Sequence, residues 1–273
     1  MRLFPAAVLP GLVCLLLTTS PAFSQTSSRI GEFEVRQITF TGGEYTAEPF
    51  RYLILAPHGG VKQNTQYPLI LFLHGAGERG NDPRKLLPHF PTQMAQPDWR
   101  KRFPCFVIVP QCRNGRQWVN AAWGDRQSTP LADQPSDNLQ MASAVLDQSL
   151  KTLPVDSNRI YLTGLSMGGY GSWELSMRRP KVFAAVAPVC GGGDESQAAR
   201  LKGLPIWAAH GDADRVVWPD RSRRMVEAVK QAGGHARYTE YSGVGHNSWT
   251  GFYADTEGVV PWLFRQKLKA GTK

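Results

Sequence analysis

The sequence predicts an α/β fold, a doubly wound and mainly parallel sheet with antiparallel strands at its N-terminal edge. Short apolar runs without clean alternation, "PLILFLH" (68–74), "CFVIVP" (105–110), "RIYLTGLS" (159–166), "VFAAVAPVC" (182–190) and "LPIWAAH" (204–210), have the make-up of strands covered on both faces. Helix-periodic segments lie between several of them, the alternation that a parallel sheet with crossover helices requires. The length of 273 residues, with 42% hydrophobic and 19% charged content, suits one large buried core and excludes a disordered chain or a membrane bundle.

Each element has its own justification. "EFEVRQITF" (32–40) alternates Phe33, Val35, Ile38 and Phe40 imperfectly with polar residues, and with "FRYLILAP" (50–57) it predicts an antiparallel hairpin at a sheet edge. The segment 136–151 puts Leu139, Ala142, Leu146 and Leu150 on one helical face. The segment 220–232 carries Met225, Val226 and Val229 and stops at Gly233-Gly234, a C-terminal cap signal. A last strand is expected at about 236–241, and a last helix at about 255–269 that packs Val259, Trp262 and Leu263 against the sheet. Two long connections, 75–104 and 111–135, exceed ordinary loop lengths and are expected to be functional or poorly ordered.

The N-terminus predicts export. Arg2, an apolar run from Ala6 to Leu17, and Ala22-Phe23-Ser24 read as a secretory signal peptide over residues 1–24, leaving 25–273 as a single catalytic domain, secreted or periplasmic. The run is shorter than the ~18 residues of a spanning helix and contains Pro10, so no stable membrane anchor is expected after cleavage. Cleavage lowers the formal charge from +9 to +8, because Arg2 is the one charged residue removed. The basic residues are scattered; "RRP" (178–180) and "RSRR" (221–224) read as solvated faces, and no nucleic-acid partner is expected. Cys105, Cys112 and Cys190 remain, enough for one disulfide whose pair the sequence does not choose, and their spacing matches no zinc site.

In a doubly wound sheet, ligands bind beyond the carboxyl ends of the strands. Four strand ends there carry reactive or donor groups: His74-Gly75-Ala76-Gly77, Gly164-Leu165-Ser166-Met167-Gly168, Gly211-Asp212-Ala213-Asp214 and Gly243-Val244-Gly245-His246. The stretch "GLSMGGYGSW" (164–173) crowds four glycines into the start of a helix, where each costs roughly 1 kcal/mol relative to alanine. A serine can be pushed out of a sharp strand-to-helix turn only if its neighbours at −2 and +2 have no side chains to collide, the mechanical content of G-x-S-x-G.

On these residues the chain from about 33 to 270 resembles the α/β-hydrolase fold. "LFLHGAGERGND", "GLSMGGYGSW", "HGDADRVV" and "GVGHNSW" together are similar to the secreted carboxylesterase group related to dienelactone hydrolases, feruloyl esterases and prolyl-oligopeptidase catalytic domains. The resemblance implies Ser166 as nucleophile, Asp214 as acid, His246 as base, and the backbone N–H groups of Ala76 and Met167 as an oxyanion hole, with no metal and no organic cofactor. The chain order Ser, Asp, His matches that fold.

Rival residues have bland readings. Of six histidines only His235 and His246 follow the acid, and His235 precedes the last strand, on the opposite rim. Asp212 braces its own loop, and Asp194 or Glu195 follows a neighbouring strand. His74 reads as tied down within its loop, Glu78 and Arg79 as an ion-paired loop brace, and Cys190 as structural. Trp118 and Trp123, on the 111–135 loop, and Trp249 are candidate walls of a substrate pocket.

The expected function is a serine hydrolase of carboxylic esters, of the phospholipase/carboxylesterase kind, acting through an acyl-enzyme on a small-molecule or polymer-linked ester that includes polysaccharide acyl or feruloyl groups. The alternatives are a prolyl-oligopeptidase-like peptidase and a non-catalytic binding protein on the same fold. The peptidases resemble a hydrolase domain gated by a large N-terminal propeller, and some 45 residues here lie between the cleavage site and "PLILFLH". Non-catalytic relatives typically lose a triad member, and all three residues are present.

Overall fold

The computed structural model describes Met1, residues 28–128 and residues 130–268. The signal peptide assigned to residues 1–24 therefore falls almost wholly outside the described residues, which contain no helix long and apolar enough to cross a membrane.

Nine strands form one sheet: β1 (Arg29–Ile30), β2 (Phe33–Gly42), β3 (Tyr45–Leu55), β4 (Tyr67–Leu73), β5 (Phe106–Pro110), β6 (Val155–Leu165), β7 (Ala185–Val189), β8 (Ile206–Gly211) and β9 (Ala236–Tyr241). Their order is β1-β2-β3-β5-β4-β6-β7-β8-β9. The first three strands are antiparallel, β3 meets β5 antiparallel, and every pair from β5 to β9 is parallel. The hairpin expected at the edge is present, lengthened by the short β1. From β4 the chain moves to β5 on one side and then crosses to β6 on the other. The strand order thus reverses around β4, and the crevice beyond the carboxyl ends of β4 and β6 is where such sheets bind ligands.

Strand β4 shows why the apolar runs lack alternation. Leu69, Leu71 and Leu73 point into one core and Ile70 and Phe72 into the other, all fully buried. Helices α3 (Asp137–Thr152), α4 (Met167–Arg178) and α5 (Asp220–Gln231) cover the first face. The other face is covered by α1 (Phe90–Ala95), α2 (Pro97–Arg102), α6 (Trp249–Ala254) and α7 (Val259–Phe264). At roughly 1.5–3 kcal/mol per fully buried large apolar side chain, both faces contribute to holding β4 central.

The helix ends follow local chemistry. Ser136 caps α3 by accepting the Leu139 N–H at 3.1 Å, while its hydroxyl donates to the Trp118 carbonyl at 2.6 Å and so ties the preceding loop to the helix. Helix α5 ends where expected, with Gly233 at φ +79° and the Gly234 N–H on the Val229 carbonyl at 2.8 Å.

The last helix is a correction. In place of one helix over about 255–269, the chain forms α6 and α7 with a turn between them, closed by the Gly258 N–H on the Asp255 carbonyl at 3.1 Å. Pro261 is the reason: it lacks a donor and would break a helix that ran through it, but it is tolerated in the first turn of α7. Val259, Trp262 and Leu263 do pack against the sheet, while residue 269 lies outside the described residues.

Candidate active site

Ser166 stands between β6 and α4 at φ +54°, a left-handed conformation that a serine adopts only when its surroundings hold it there. Its N–H donates to the Val189 carbonyl at 2.9 Å, and its own carbonyl accepts from Gly169 at 2.8 Å. The glycines make the turn possible by contact. A Cβ on Gly164 would sit 2.4 Å from the Gly168 carbonyl oxygen, and one on Gly168 would sit 1.8 Å from that of Leu73.

The structure brings Ser166, His246 and Asp214 together. His246 follows β9 and Asp214 follows β8. His246 Nε2 lies 2.9 Å from Ser166 Oγ, and His246 Nδ1 lies 2.7 Å from Asp214 Oδ2. Asp214 Oδ1 accepts the N–H groups of Val216 at 2.8 Å and Val217 at 3.0 Å. Because the carboxylate faces His246 Nδ1, that nitrogen carries the proton and Nε2 is left as acceptor toward the serine. Burial pushes the Asp214 carboxyl up, but the bonds from His210, His246 and the two amides outweigh it and hold it well below the usual carboxylate range. Asp214 is therefore a fixed anion at neutral pH.

Ala76 opens a 3₁₀ turn, Ala76–Glu78, and Met167 opens α4. First-position amides have no acceptor within their own helix, and both residues follow the strands, β4 and β6, that border the crevice. His74 holds the first of these turns. Its Nδ1 donates to the Gly75 carbonyl at 2.6 Å and its Nε2 accepts the Cys112 N–H at 3.0 Å. Burial pushes the imidazole down to about 4.

A stability prediction follows from that burial. A folded value near 4 against an ordinary 6.5 means the folded state refuses a proton that the unfolded chain takes up. The contribution is complete above pH 6.5 and is lost as pH falls toward 4, by about 3 kcal/mol. Urea midpoints at pH 7.5 and 4.5 should separate strongly in the wild type and much less in His74→Asn; equal separations would remove His74 as the source.

The cleft beside Ser166 has a volume of about 250 Å³ and is lined by Glu78, His89, Trp123, Val216 and Trp249 together with Ser166 and His246. Trp118 is a correction. It is fully buried, its Nε1 donates to the His74 carbonyl at 2.9 Å, and its ring meets that of His74 edge-on, so it serves the core beneath the loop rather than the cleft wall. Glu78 and Arg79 do not pair with each other. Arg79 donates to the Ala76 carbonyl at 2.9 Å and lies over the Trp123 ring, bracing the loop through its backbone. Glu78 faces the cleft with His89 Nε2 3.9 Å away, and Trp249 Nε1 donates to His89 Nδ1 at 3.2 Å. Asp212 ties two loops together where a brace within its own was expected: its Oδ1 accepts at 2.7 Å the N–H of Gly243, on the connection after β9 that carries His246.

The three cysteines are free and buried. Cys190 lies 2.8 Å from Ser248 Oγ, and burial pushes its thiol up to about 12, which suits a structural side chain. Cys190, His210 and Asp214 place ligand-type atoms within 4.8 Å of one another. Each is already engaged, Cys190 with Ser248 and His210 with Asp214, so the cluster is a hydrogen-bond network rather than a set of free ligands. His210 and His89 are the polar residues here that sequence reasoning passed over. The one signal for His210 is its place four residues before the acid, at the end of an apolar strand.

A serine held at positive φ over the carboxyl edge of a doubly wound sheet, with a hydrogen-bonded carboxylate and then an imidazole after later strands, marks the α/β-hydrolase fold. The family model for phospholipases and carboxylesterases matches residues 61–257, and the chain belongs to that family of carboxylic ester hydrolases. A thermostable esterase of known structure is 37% identical with a TM-score of 0.76; the match covers 86% of this chain, which spans 63% of that one. The carboxylesterase SOBER1 of Arabidopsis thaliana is 25% identical over 193 residues, 65% of this chain and 82% of its own. Feruloyl esterase D of Neurospora crassa is 26% identical over 175 residues, 61% of this chain and 54% of its own.

Proposed function

We propose that the chain is an exported serine hydrolase that cleaves carboxylic esters through Ser166, His246 and Asp214 and an acyl-enzyme intermediate. The observation that carries this reading is the hydrogen-bonded line from Asp214 Oδ2 through His246 to Ser166 Oγ, at 2.7 and 2.9 Å.

The steps follow from the geometry. His246 Nε2 takes the hydroxyl proton as Ser166 Oγ attacks the acyl carbonyl, and Asp214 stabilises the imidazolium and keeps its orientation. The oxyanion meets the N–H groups of Ala76 and Met167, donors of a kind worth ~10²–10³-fold each in rate. His246 then gives its proton to the leaving alkoxide. A water, deprotonated by the same imidazole, releases the acid and restores the serine.

For the substrate, Trp123 and Trp249 offer flat apolar faces, and Val216, half exposed at the rim, extends them. Glu78 adds a carboxylate whose acceptor sites suit hydroxyl donors. A cleft of aromatic faces and one carboxylate suits an acyl or feruloyl group carried on a sugar, consistent with the feruloyl esterase relative. The test is hydrolysis by purified residues 25–273 of p-nitrophenyl esters from acetate to palmitate, with methyl ferulate, acetylated xylan and a prolyl anilide alongside. Turnover of short-chain and sugar-borne esters is expected. Anilide cleavage without ester cleavage would replace this reading by a peptidase, and silence on every substrate would replace it by a binding role.

A further inference from the structure

Behind the Asp214 carboxylate lies a second imidazole. His210, the next-to-last residue of β8, is fully buried, and its Nε2 is 3.1 Å from Asp214 Oδ2, the same oxygen that His246 Nδ1 approaches at 2.7 Å. His210 Nε2 also lies 3.0 Å from the Val217 carbonyl. Both neighbours are acceptors, so Nε2 must carry a proton. On the far side Nδ1 lies 2.8 Å from Ser222 Oγ on α5, which is itself 2.8 Å from the Gly191 carbonyl. The Asp214 carboxylate therefore receives four donors, two backbone amides on Oδ1 and two imidazoles on Oδ2.

We propose that His210 is a positioning residue for the ester hydrolysis: its Nε2–H pins Asp214 Oδ2 against rotation so that the carboxylate keeps its aim on His246, and Ser222 fixes the imidazole in the orientation that does so. The inference rests on the reading of Asp214 as the acid of the triad. A carboxylate held only by its two amides could swing Oδ2 away from His246 about the bond to its Cγ. The His210 contact closes that freedom from the side opposite the substrate. The same bond draws charge from Oδ2 and so moderates how strongly Asp214 favours the protonated form of His246. The other charged or titratable groups that face this cluster are Cys190 at the end of β7, Tyr170 on α4, Arg221 on α5 and Glu240 on β9.

The test compares His210→Gln, His210→Asn and Ser222→Ala in the full-length protein, with Asp214→Asn as control. A glutamine amide reaches the position of Nε2 and can still donate to Asp214, whereas the shorter asparagine reaches only that of Nδ1, toward Ser222. Both variants are polar, and a thermal melt of each measures what the smaller asparagine loses in packing alone. His210→Asn is expected to lose ~10- to 100-fold in kcat with KM changed less than about twofold. The acid limb of its kcat/KM profile should move to higher pH by roughly half a unit, because an Asp214 with one donor fewer favours the imidazolium more strongly. His210→Gln should return most of both, and Ser222→Ala should fall between. If Asn and Gln variants share the wild-type kcat and acid limb, or differ only in melting temperature, His210 merely fills space and the inference is overturned. An active Asp214→Asn would instead bring down the triad reading itself.

Discussion

Ser166→Ala is expected to lower kcat on every ester the protein turns over by ~10⁴-fold or more, with KM within a few fold of wild type. The substitution removes one oxygen and leaves the rest of the apparatus standing. His246 keeps its bond to Asp214, and the amides of Ala76 and Met167 keep their helix-first positions. On the proposed mechanism, what is lost is the atom that forms the acyl bond, so the residual rate is that of water attacking a carbonyl held near two donors. The fold should not notice. Serine and alanine have the same difficulty at φ +54°, the elbow's closeness depends on Gly164 and Gly168, and among the described residues the Ser166 side chain is bonded to His246 alone. Kinetics on p-nitrophenyl acetate with a thermal melt alongside would check both halves. Retained turnover would take Ser166 out of the chemistry altogether.

Gly168→Ala is expected to do the opposite, harming the fold before the chemistry can be asked about. The added methyl would lie 1.8 Å from the Leu73 carbonyl oxygen and 2.9 Å from that of His74. Neither can yield cheaply. Leu73 is paired with Gly164 in the β4–β6 ladder, so moving its carbonyl pulls the central strands apart or drives α4 off the sheet. Overpacking a core with movable side chains costs about 1–3 kcal/mol; against fixed backbone the cost should be about 3 kcal/mol or more, a large part of a domain's 5–15 kcal/mol. Gly203→Ala is the control: an added methyl there meets nothing within 4 Å, and stability should change by less than about 0.5 kcal/mol. Urea unfolding of the two variants would separate them, and equal midpoints would show that α4 can shift outward at little cost.

The sequence made the parallel strands legible because β4 to β8 are covered on both sides, and double coverage leaves runs of apolar residues that nothing else in a chain this size explains. That His246 would face Ser166 and His235 the opposite rim was legible for a topological reason. His235 sits before β9, where its carbonyl accepts the Ile206 N–H at the amino-terminal rim, 3.1 Å away, while His246 sits after the strand. Burial direction was not legible. Trp118 and Trp123 share one loop and one residue type, yet the first turns under the loop to bond His74 and the second turns out over the cleft. His210 escaped notice for a related reason: the last turn of an apolar strand usually hides its side chain among hydrocarbons, and only the fold shows that this one meets the acid from behind. The break between α6 and α7 was written in Gly258 and Pro261, but the apolar period of Val259, Trp262 and Leu263 masks it.

Among the described residues of the connection from 111 to 135 there is no helix or strand, yet the connection is held at several points. Trp218 Nε1 donates to the Gly124 carbonyl at 2.9 Å, Arg221 to that of Asp125 at 3.1 Å and Arg178 to that of Ala132 at 2.6 Å, while the Leu131 N–H reaches Asp194 at 2.7 Å. Each of these four bonds takes a side chain from the scaffold and a main-chain atom from the loop. A main-chain atom is the same whatever residue carries it. The stretch from Gly124 to Ala132 is thus fastened mainly through its backbone, whereas Gln111, Arg113 and Trp118 fasten the first part of the connection through their own side chains. Side chains in that stretch can therefore be exchanged with most of its fastening intact, so the surface bordering the cleft can change by mutation while Ser166, His246 and Asp214 stay in place.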